Sequence, residues 1–344
     1  MEVSINDVKP DTSTFDDFAH LRNYAEVIEN TNALSAFKLL IDSNHHHYLF
    51  NHVFGGKGLV PATMIMELFI ESATWFSKNY ADNITNGLVV EKLLNLNIER
   101  SIALTLGDKL EVKVLLNEIE KEDSFVKMKL AIKSGRVQSS GKVIGERINA
   151  TCEVVFSEQY SETAGLKLSK NDFIYYSFKP EVYYPYYFPA LGPKFQSGTG
   201  KFAVSKDRNV LIGEYDCNER EADFIKDQKS KFIISPLGYD SCLQYTVFLS
   251  RIQSITGRLP TGCASLSIHK KHPTHGLCHI VSQCLYIDPV IMRSNFWSYD
   301  ENWEMILSSE NFVVTKDPYH NYSNRTAFEN LLNENKTDDL NWLE

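Results

Sequence analysis

The chain has 344 residues, 43% hydrophobic and 23% charged, an ordinary globular composition with room for two domains or one large one. Its net charge of −9 excludes bulk electrostatic attraction to nucleic acid. No apolar run is long enough to cross a bilayer, and the opening Met-Glu-Val-Ser-Ile-Asn-Asp has neither the basic nor the apolar region of a signal peptide. Six cysteines (Cys152, Cys217, Cys242, Cys263, Cys278, Cys284) show no Cys-x-x-Cys pair, which predicts reduced thiols in a cytoplasmic protein.

Residues 1–30 are polar and acidic and predict a loosely held arm. Ala36 to Ile41 reads as a strand. It leads to Asn51-His-Val-Phe-Gly-Gly-Lys-Gly-Leu-Val-Pro61-Ala62, which places one histidine and a glycine-rich turn before a helix. From Ala62 to Asn79 almost no face is polar. Met64, Leu68 and Trp75 share one stripe, and Ile65, Phe69 and Phe76 another, so the helix is predicted to be buried. Pro61 suits a first helical position, where a missing N–H costs little. The following amides, from Ala62, lie at the positive end of the helix dipole and can hold a developing oxyanion. Strand-like runs follow at Leu88–Leu96, Lys109–Leu116, Phe125–Ile132 and Val143–Phe156. Leu110, Val112, Val114 and Leu116 alternate, as do Val126, Met128, Leu130 and Ile132. That period suits an antiparallel sheet with one covered face.

Gln159 to Ser169 is polar and reads as a linker. The second half repeats the theme. Strands are expected at Phe173–Phe178, Lys201–Val204, Val210–Tyr215 and Lys231–Ile234. Pro236 then opens a second buried helix that stops near Gly257. Further strands are expected at Cys263–His269, Cys278–Tyr286, Asn295–Tyr299, Trp303–Leu307 and Phe312–Thr315. Pro185 and Pro189 predict a loop in the aromatic run Tyr183–Phe188, which either lines an acyl tunnel or covers the core. The tail from Asp317 is polar with a short apolar cluster and reads as a flexible end or a docking element, the flexible end being the favoured expectation. The class is α+β.

Two groups could carry chemistry. His52, Gly56 and Pro61 form His-x-x-x-Gly-x-x-x-x-Pro. Asp240 and Gln244 lie four apart on one helical face, where the amide can orient the carboxyl. Each alone has an ordinary structural reading: a histidine beside a turn, and an acid at a helix start. Together, in order, with Leu191-Gly192-Pro193-Lys194-Phe195-Gln196 between them, they resemble the dehydratase domains of modular polyketide synthases. Leu259-Pro260-Thr261-Gly262 and the stretch from Ser298 to Met305 add to the likeness, which spans residues 30–316.

The resemblance implies a double hotdog, two antiparallel sheets each wrapping a central helix. Residues 31–158 would form the first hotdog with the catalytic histidine and 171–316 the second with the catalytic aspartate, joined by a linker at 159–170. An arm at 1–30 and a tail at 317–344 would flank them. It also implies removal of water from a β-hydroxyacyl thioester carried on the phosphopantetheine of an acyl carrier protein. In that role His52 takes the α-proton and Asp240 protonates the leaving hydroxyl. An ordinary His, near pKa ~6.5, is available as a base at pH 7. An ordinary Asp, near ~3.9, is not available as an acid. Burial would have to raise it, by roughly 4 kcal/mol to reach ~7. Gly56, Pro61, Ala62, Gly192, Pro193, Phe195 and Gln244 would bind substrate. No cofactor and no metal is expected.

Expected partners are a carrier protein and polyketide synthase modules met in trans, with no nucleic acid or membrane, the chain itself being a monomer or homodimer. Asn51 stands where the family usually has Asp, Ala62 where it has Gly, and Leu191 where it has Tyr. Tyr186 or Tyr187 could replace that last hydroxyl. These departures keep open a same-fold isomerase or cyclase, and a non-catalytic acyl-binding module is the alternative from another class. Leu237-Gly238-Tyr239-Asp240-Ser241 mimics a phosphopantetheine attachment motif, although carrier domains are small and all-helical. His45–His47 and the set His272, His275, Cys278 and His279 carry metal-ligand types, but the first run sits beside a strand, where neighbours point to opposite faces, and the second is loop-rich and charged. His269-Lys-Lys-His272 reads as a solvated turn or a contact for an acidic carrier protein.

Overall fold

The alternating apolar runs become long antiparallel strands, because period two buries one face of each. The computed structural model describes residues 15, 17–21, 25–28, 33–80, 84–122, 124–162, 164–217, 224–226, 232–317 and 324–338. The chain divides into two units, Met1–Ser161 with Arg220–Pro236, and Glu162–Glu219 with Leu237–Glu344.

The first unit contains β1 (Ala25–Ile28), β2 (Ser35–Asp42), β3 (Val53–Phe54), β4 (Lys57–Leu59), α1 (Ala62–Tyr80), β5 (Val89–Ile98), β6 (Ala103–Leu104), β7 (Lys109–Lys121), β8 (Phe125–Val137) and β9 (Val143–Ser157). The long strands pair antiparallel in the order β1-β2-β7-β8-β9-β5, and β3, β4 and β6 form a small second sheet. Helix α1 packs on β5, β7, β8 and β9. Met64, Phe69, Trp75 and Phe76 are fully buried on it. Each such side chain contributes about 1.5–3 kcal/mol, so packing rather than intrinsic propensity holds the helix.

Two expectations for this unit change. The N-terminal residues described are not a loose arm: Phe15 stacks on Trp75 at 4.3 Å, and Phe18 and Leu21 are buried. Two aromatic rings among acidic neighbours suffice to dock the segment. Helix α1 is also not wholly apolar, since Glu67 and Glu71 are both fully buried. Glu71 accepts the Ala19 and His20 amides at 3.1 and 2.9 Å. Glu67 accepts the Ile233 and Ile234 amides at 2.5 and 2.9 Å. The strand expected at Lys231–Ile234 is therefore absent from its described residues 232–234. Their amides need a partner, and a carboxyl supplies it instead of a sheet.

The second unit contains β10 (Phe173–Ser177), α2 (Pro180–Tyr187), β11 (Gly198–Ser205), β12 (Val210–Asp216), α3 (Pro236–Ser254), β13 (Arg258–Ile268), β14 (Leu277–Ile287), β15 (Ile291–Tyr299), β16 (Met305–Lys316), α4 (Arg325–Glu334) and β17 (Lys336–Thr337). Its strands pair antiparallel in the order β13-β16-β15-β14-β12-β11-β10-β17. The runs expected as two strands, Trp303–Leu307 and Phe312–Thr315, are one strand, β16, preceded by a turn in which Trp303 has φ 59°.

Helix α3 lies on the face of β12 and β14. Tyr245 donates its hydroxyl to the Glu214 carbonyl at 2.6 Å, and the Thr246 and Ser282 hydroxyls meet at 2.8 Å. The close approach depends on Gly213, where a β-carbon would come within 2.4 Å of the Tyr245 ring. Gly213→Ala is expected to destabilise the fold by about 1–3 kcal/mol, read as a lower denaturant midpoint. An unchanged midpoint would mean the helix can lift away freely.

The aromatic run is a helix, α2, rather than a loop. Pro180 sits at its start, and the interior Pro185 forfeits a bond in a helix of only 8 residues. Tyr183 and Tyr187 meet Phe248 at 5.6 and 4.5 Å, so these rings fill core space. The tail is docked, not flexible, over its described residues. Phe328 of α4 meets Tyr187 at 5.5 Å, the Arg208 guanidinium grips Glu329 with two bonds of 2.7 and 2.9 Å, and β17 adds to β10. Among the described residues no helix is long and apolar enough to cross a membrane.

Candidate active site

His52 follows a short 3-10 turn, His47–Asn51, and enters the β3–β4 hairpin. The hairpin turns through Gly55 and Gly56, at φ 56° and 75°, a left-handed region where glycine costs least. Leu59 on the return strand holds the histidine twice. Its amide donates to the His52 carbonyl at 2.9 Å, and its carbonyl accepts His52 Nδ1–H at 2.8 Å. A protonated Nδ1 leaves the lone pair on Nε2. Burial pushes the imidazole down to about 4, against the opposing pull of the Leu59 carbonyl. The ring is therefore neutral at pH 7, and further below its ordinary range than the sequence suggested.

Pro61 is buried and passes its carbonyl to the Ile65 amide at 3.1 Å, the first turn of α1. Ala62 begins that helix and is half-buried. Gly56, expected to help bind substrate, lies exposed at the hairpin with open space around it. Its evident part is the turn.

Asp240 sits in the first turns of α3, only 6% exposed. Burial raises its carboxyl to about 7, although a hydrogen bond from Gln244 works the other way. That bond is one link in a directional chain. The Gly198 amide donates to the Tyr184 hydroxyl at 2.5 Å, and Tyr184 donates to Gln244 Oε1 at 3.2 Å. Gln244 Nε2 then donates to Asp240 Oδ2 at 2.7 Å and to the Phe195 carbonyl at 2.8 Å. With both amide ends occupied, the Gln244 orientation is set, and with it one carboxyl oxygen.

The Leu191–Gln196 motif takes a supporting part. Gly192 precedes a 3-10 turn, Pro193–Phe195, which Gln196 closes by donating to the Leu191 carbonyl at 2.8 Å. The Phe195 side chain is fully buried, and its carbonyl anchors Gln244. So Phe195, expected to bind substrate, positions the amide that orients the acid. Sequence reasoning missed Tyr184, because Pro185 disguised its helix. Neither Tyr186 nor Tyr187 occupies that place.

Other candidates resolve differently. Ser241 is 1% exposed, bonds Ser197, and donates to the Leu237 carbonyl at 2.8 Å, so it is not placed to carry phosphopantetheine. His45 faces the Asp42 carboxylate at 2.9 Å, His46 is buried, and His47 meets the Asn44 carbonyl at 3.1 Å. In the basic turn, Lys270 pairs with Asp300 and, at 2.6 Å, Glu304, which neutralises its charge there.

No family model matches the sequence, and a search of curated proteins finds no match. Solved structures do match. The dehydratase domain from the CurF module of curacin polyketide synthase aligns with TM-score 0.62 at 14% identity, covering 86% of this chain and 98% of that one. The dehydratase domain of PpsC from Mycobacterium tuberculosis, solved in complex with C12:1-CoA, aligns with TM-score 0.63 at 15% identity, covering 88% and 100%. A GphF dehydratase aligns with TM-score 0.58 at 14% identity, covering 85% and 97%. The chain thus has the α+β double-hotdog fold of polyketide synthase dehydratase domains.

Proposed function

We propose that the protein is a hydro-lyase that removes water from a β-hydroxyacyl thioester delivered by an acyl carrier protein, acting in trans with polyketide synthase modules. The observation that carries this is Asp240: a buried, oriented carboxyl held near 7, in a fold shared with solved dehydratase domains. In this reading His52 Nε2 takes the α-proton. The electrons of that C–H bond form the Cα–Cβ double bond as the Cβ–O bond breaks. Asp240 gives its proton to the departing hydroxyl, which leaves as water. The amides at the start of α1, from Ala62, polarise the thioester carbonyl while negative charge develops there. Imidazolium and carboxylate then return to their resting forms by proton exchange.

The first test is incubation with a synthetic β-hydroxyacyl pantetheine thioester. Loss of one water by mass is the expected result. A double-bond shift or ring closure at constant mass from an enoyl substrate would favour the isomerase or cyclase, which Leu191 and Ala62 keep in view. An unchanged substrate with tight carrier binding would favour a non-catalytic acyl-binding module.

A further inference from the structure

The second unit holds a cluster that this chemistry does not use. Cys217 follows β12, and its amide donates to the Gly276 carbonyl at 3.0 Å, extending the ladder toward β14. Cys278 is the second residue of β14. The two sulfurs lie 2.8 Å apart and both side chains are buried. His272 completes the group: one ligand atom from each of Cys217, His272 and Cys278 lies within 4.8 Å of the others.

The surroundings suit coordination. His272 Nδ1 donates to the Pro273 carbonyl at 2.8 Å, which leaves the lone pair on Nε2. The ring is seated by Gly238 of α3, where a β-carbon would come within 2.2 Å of Nε2. Tyr215 places its hydroxyl 3.1 Å from Nε2 and 2.8 Å from Ser298, so it keeps a partner if it yields the nitrogen. Cys242 stands just beyond, 4.0 Å from that hydroxyl, and donates to the Gly238 carbonyl at 3.4 Å.

We propose that Cys217, Cys278 and His272 bind a zinc ion that ties the β12–β14 ladder to the His272 segment, whose ring packs on Gly238 in the first turn of α3. Two protonated thiols gain little from so close an approach, since S–H is a weak donor and sulfur a weak acceptor. A bare buried thiolate would be costly. A shared divalent cation removes both penalties, and binding releases the two thiol protons. A disulfide fits the register less well. Asp216 pairs with Leu277, so Cys217 and Cys278 are diagonal neighbours. Diagonal Cα atoms lie about 7–8 Å apart, past the ~4.4–6.8 Å span of a disulfide. The clasp would steady the helix that carries Asp240.

Titration of the tag-free, reduced chain with Co²⁺ tests this. The expected result is one equivalent bound, with thiolate-to-cobalt charge-transfer absorption that Zn²⁺ abolishes. Zn²⁺ should also raise the melting temperature. Cys217→Ser and Cys278→Ser should lose the band, and His272→Ala should weaken Co²⁺ binding by ~10–100-fold. Cys263→Ser, in β13, should leave it intact. Absence of the band in the folded, reduced wild-type chain would overturn the proposal, as would its persistence in both serine variants. So would a Cys217–Cys278 linked peptide from protein that, once reduced, still takes no cobalt. The wild-type titration decides the matter even if a serine variant fails to fold.

Discussion

Asp240→Asn is expected to lower kcat/KM for a β-hydroxyacyl thioester by at least ~100-fold, and His52→Ala by a similar factor, the usual yield of a positioned acid or base. The asparagine variant should melt close to wild type, because an amide of the same shape can still accept from Gln244. The pH profile makes the test sharper. The proposed mechanism needs His52 neutral and Asp240 protonated together. With ordinary values near ~6.5 and ~3.9, that combination never exceeds about 0.2% of molecules. With His52 lowered to about 4 and Asp240 raised to about 7, it exceeds roughly 90% near pH 5.5. Burial alone, moving both groups in opposite directions, thus supplies a gain of several hundredfold.

Activity should therefore plateau between roughly pH 5 and 6, fall in acid around 4 and fall in alkali around 7. Gln244→Leu refines the assignment. The Gln244 hydrogen bond stabilises the carboxylate, so its loss should move the alkaline limb upward while plateau activity drops. A merely structural glutamine would lower the rate and leave the limb in place. Turnover by Asp240→Asn within tenfold of wild type would remove the aspartate from the mechanism.

What the sequence disclosed was local. His52, Pro61, Asp240 and Gln244 were readable because turn chemistry, helix starts and i,i+4 spacing act over a few residues. Alternation in β7 and β8 marked their strands for the same reason, since a sheet face repeats every second residue. What stayed hidden depends on distant partners. Glu67 and Ile234 are 167 positions apart, and Arg208 and Glu329 are 121 apart. No spacing rule links them, so a buried acid passed for a gap in an apolar helix and a docked tail for a loose one. Tyr184 was obscured by a proline that a short helix tolerates. Cys217 and Cys278, 61 positions apart, carry no Cys-x-x-Cys signature. The direction of the His52 shift was equally unreadable, because it follows from burial.

Stability should peak near neutral pH and decline in mild alkali, and Glu67→Gln should remove part of that decline. Glu67 and Glu71 are buried side by side on α1, and burial raises both carboxyls above the ordinary 4.5. Each is already bound by two backbone amides, and the carboxyls also hydrogen-bond each other, which requires a proton on one of them. His20 lies 3.5 Å from Glu71, but burial pushes it down to about 3, so it stays neutral and supplies no balancing charge. The folded state therefore keeps carboxyl protons that the unfolded chain releases above pH ~4.5, and stability falls as pH rises through that range.

Five histidines, His20, His46, His52, His272 and His279, work the other way. Burial lowers all five, the first four to about 3 or 4, so the unfolded chain binds their protons below pH ~6.5 and stability climbs toward that value. Below about 6.5 the five histidines outnumber the three raised carboxyls, Glu67, Glu71 and Asp240, and the climb dominates. Above it the histidines no longer differ between states, and only the fall remains, at ~1.36 kcal/mol per pH unit for each proton retained. Glu67 takes the Ile233 and Ile234 amides on separate oxygens, so glutamine at position 67 keeps an acceptor for only one of them, while its NH2 can donate to Glu71 without titrating. Its melting temperature should cross above wild type in alkali, whereas Glu67→Ala should lose stability throughout by abandoning two buried amides. Parallel pH curves for wild type and Glu67→Gln would show that no proton is shared there.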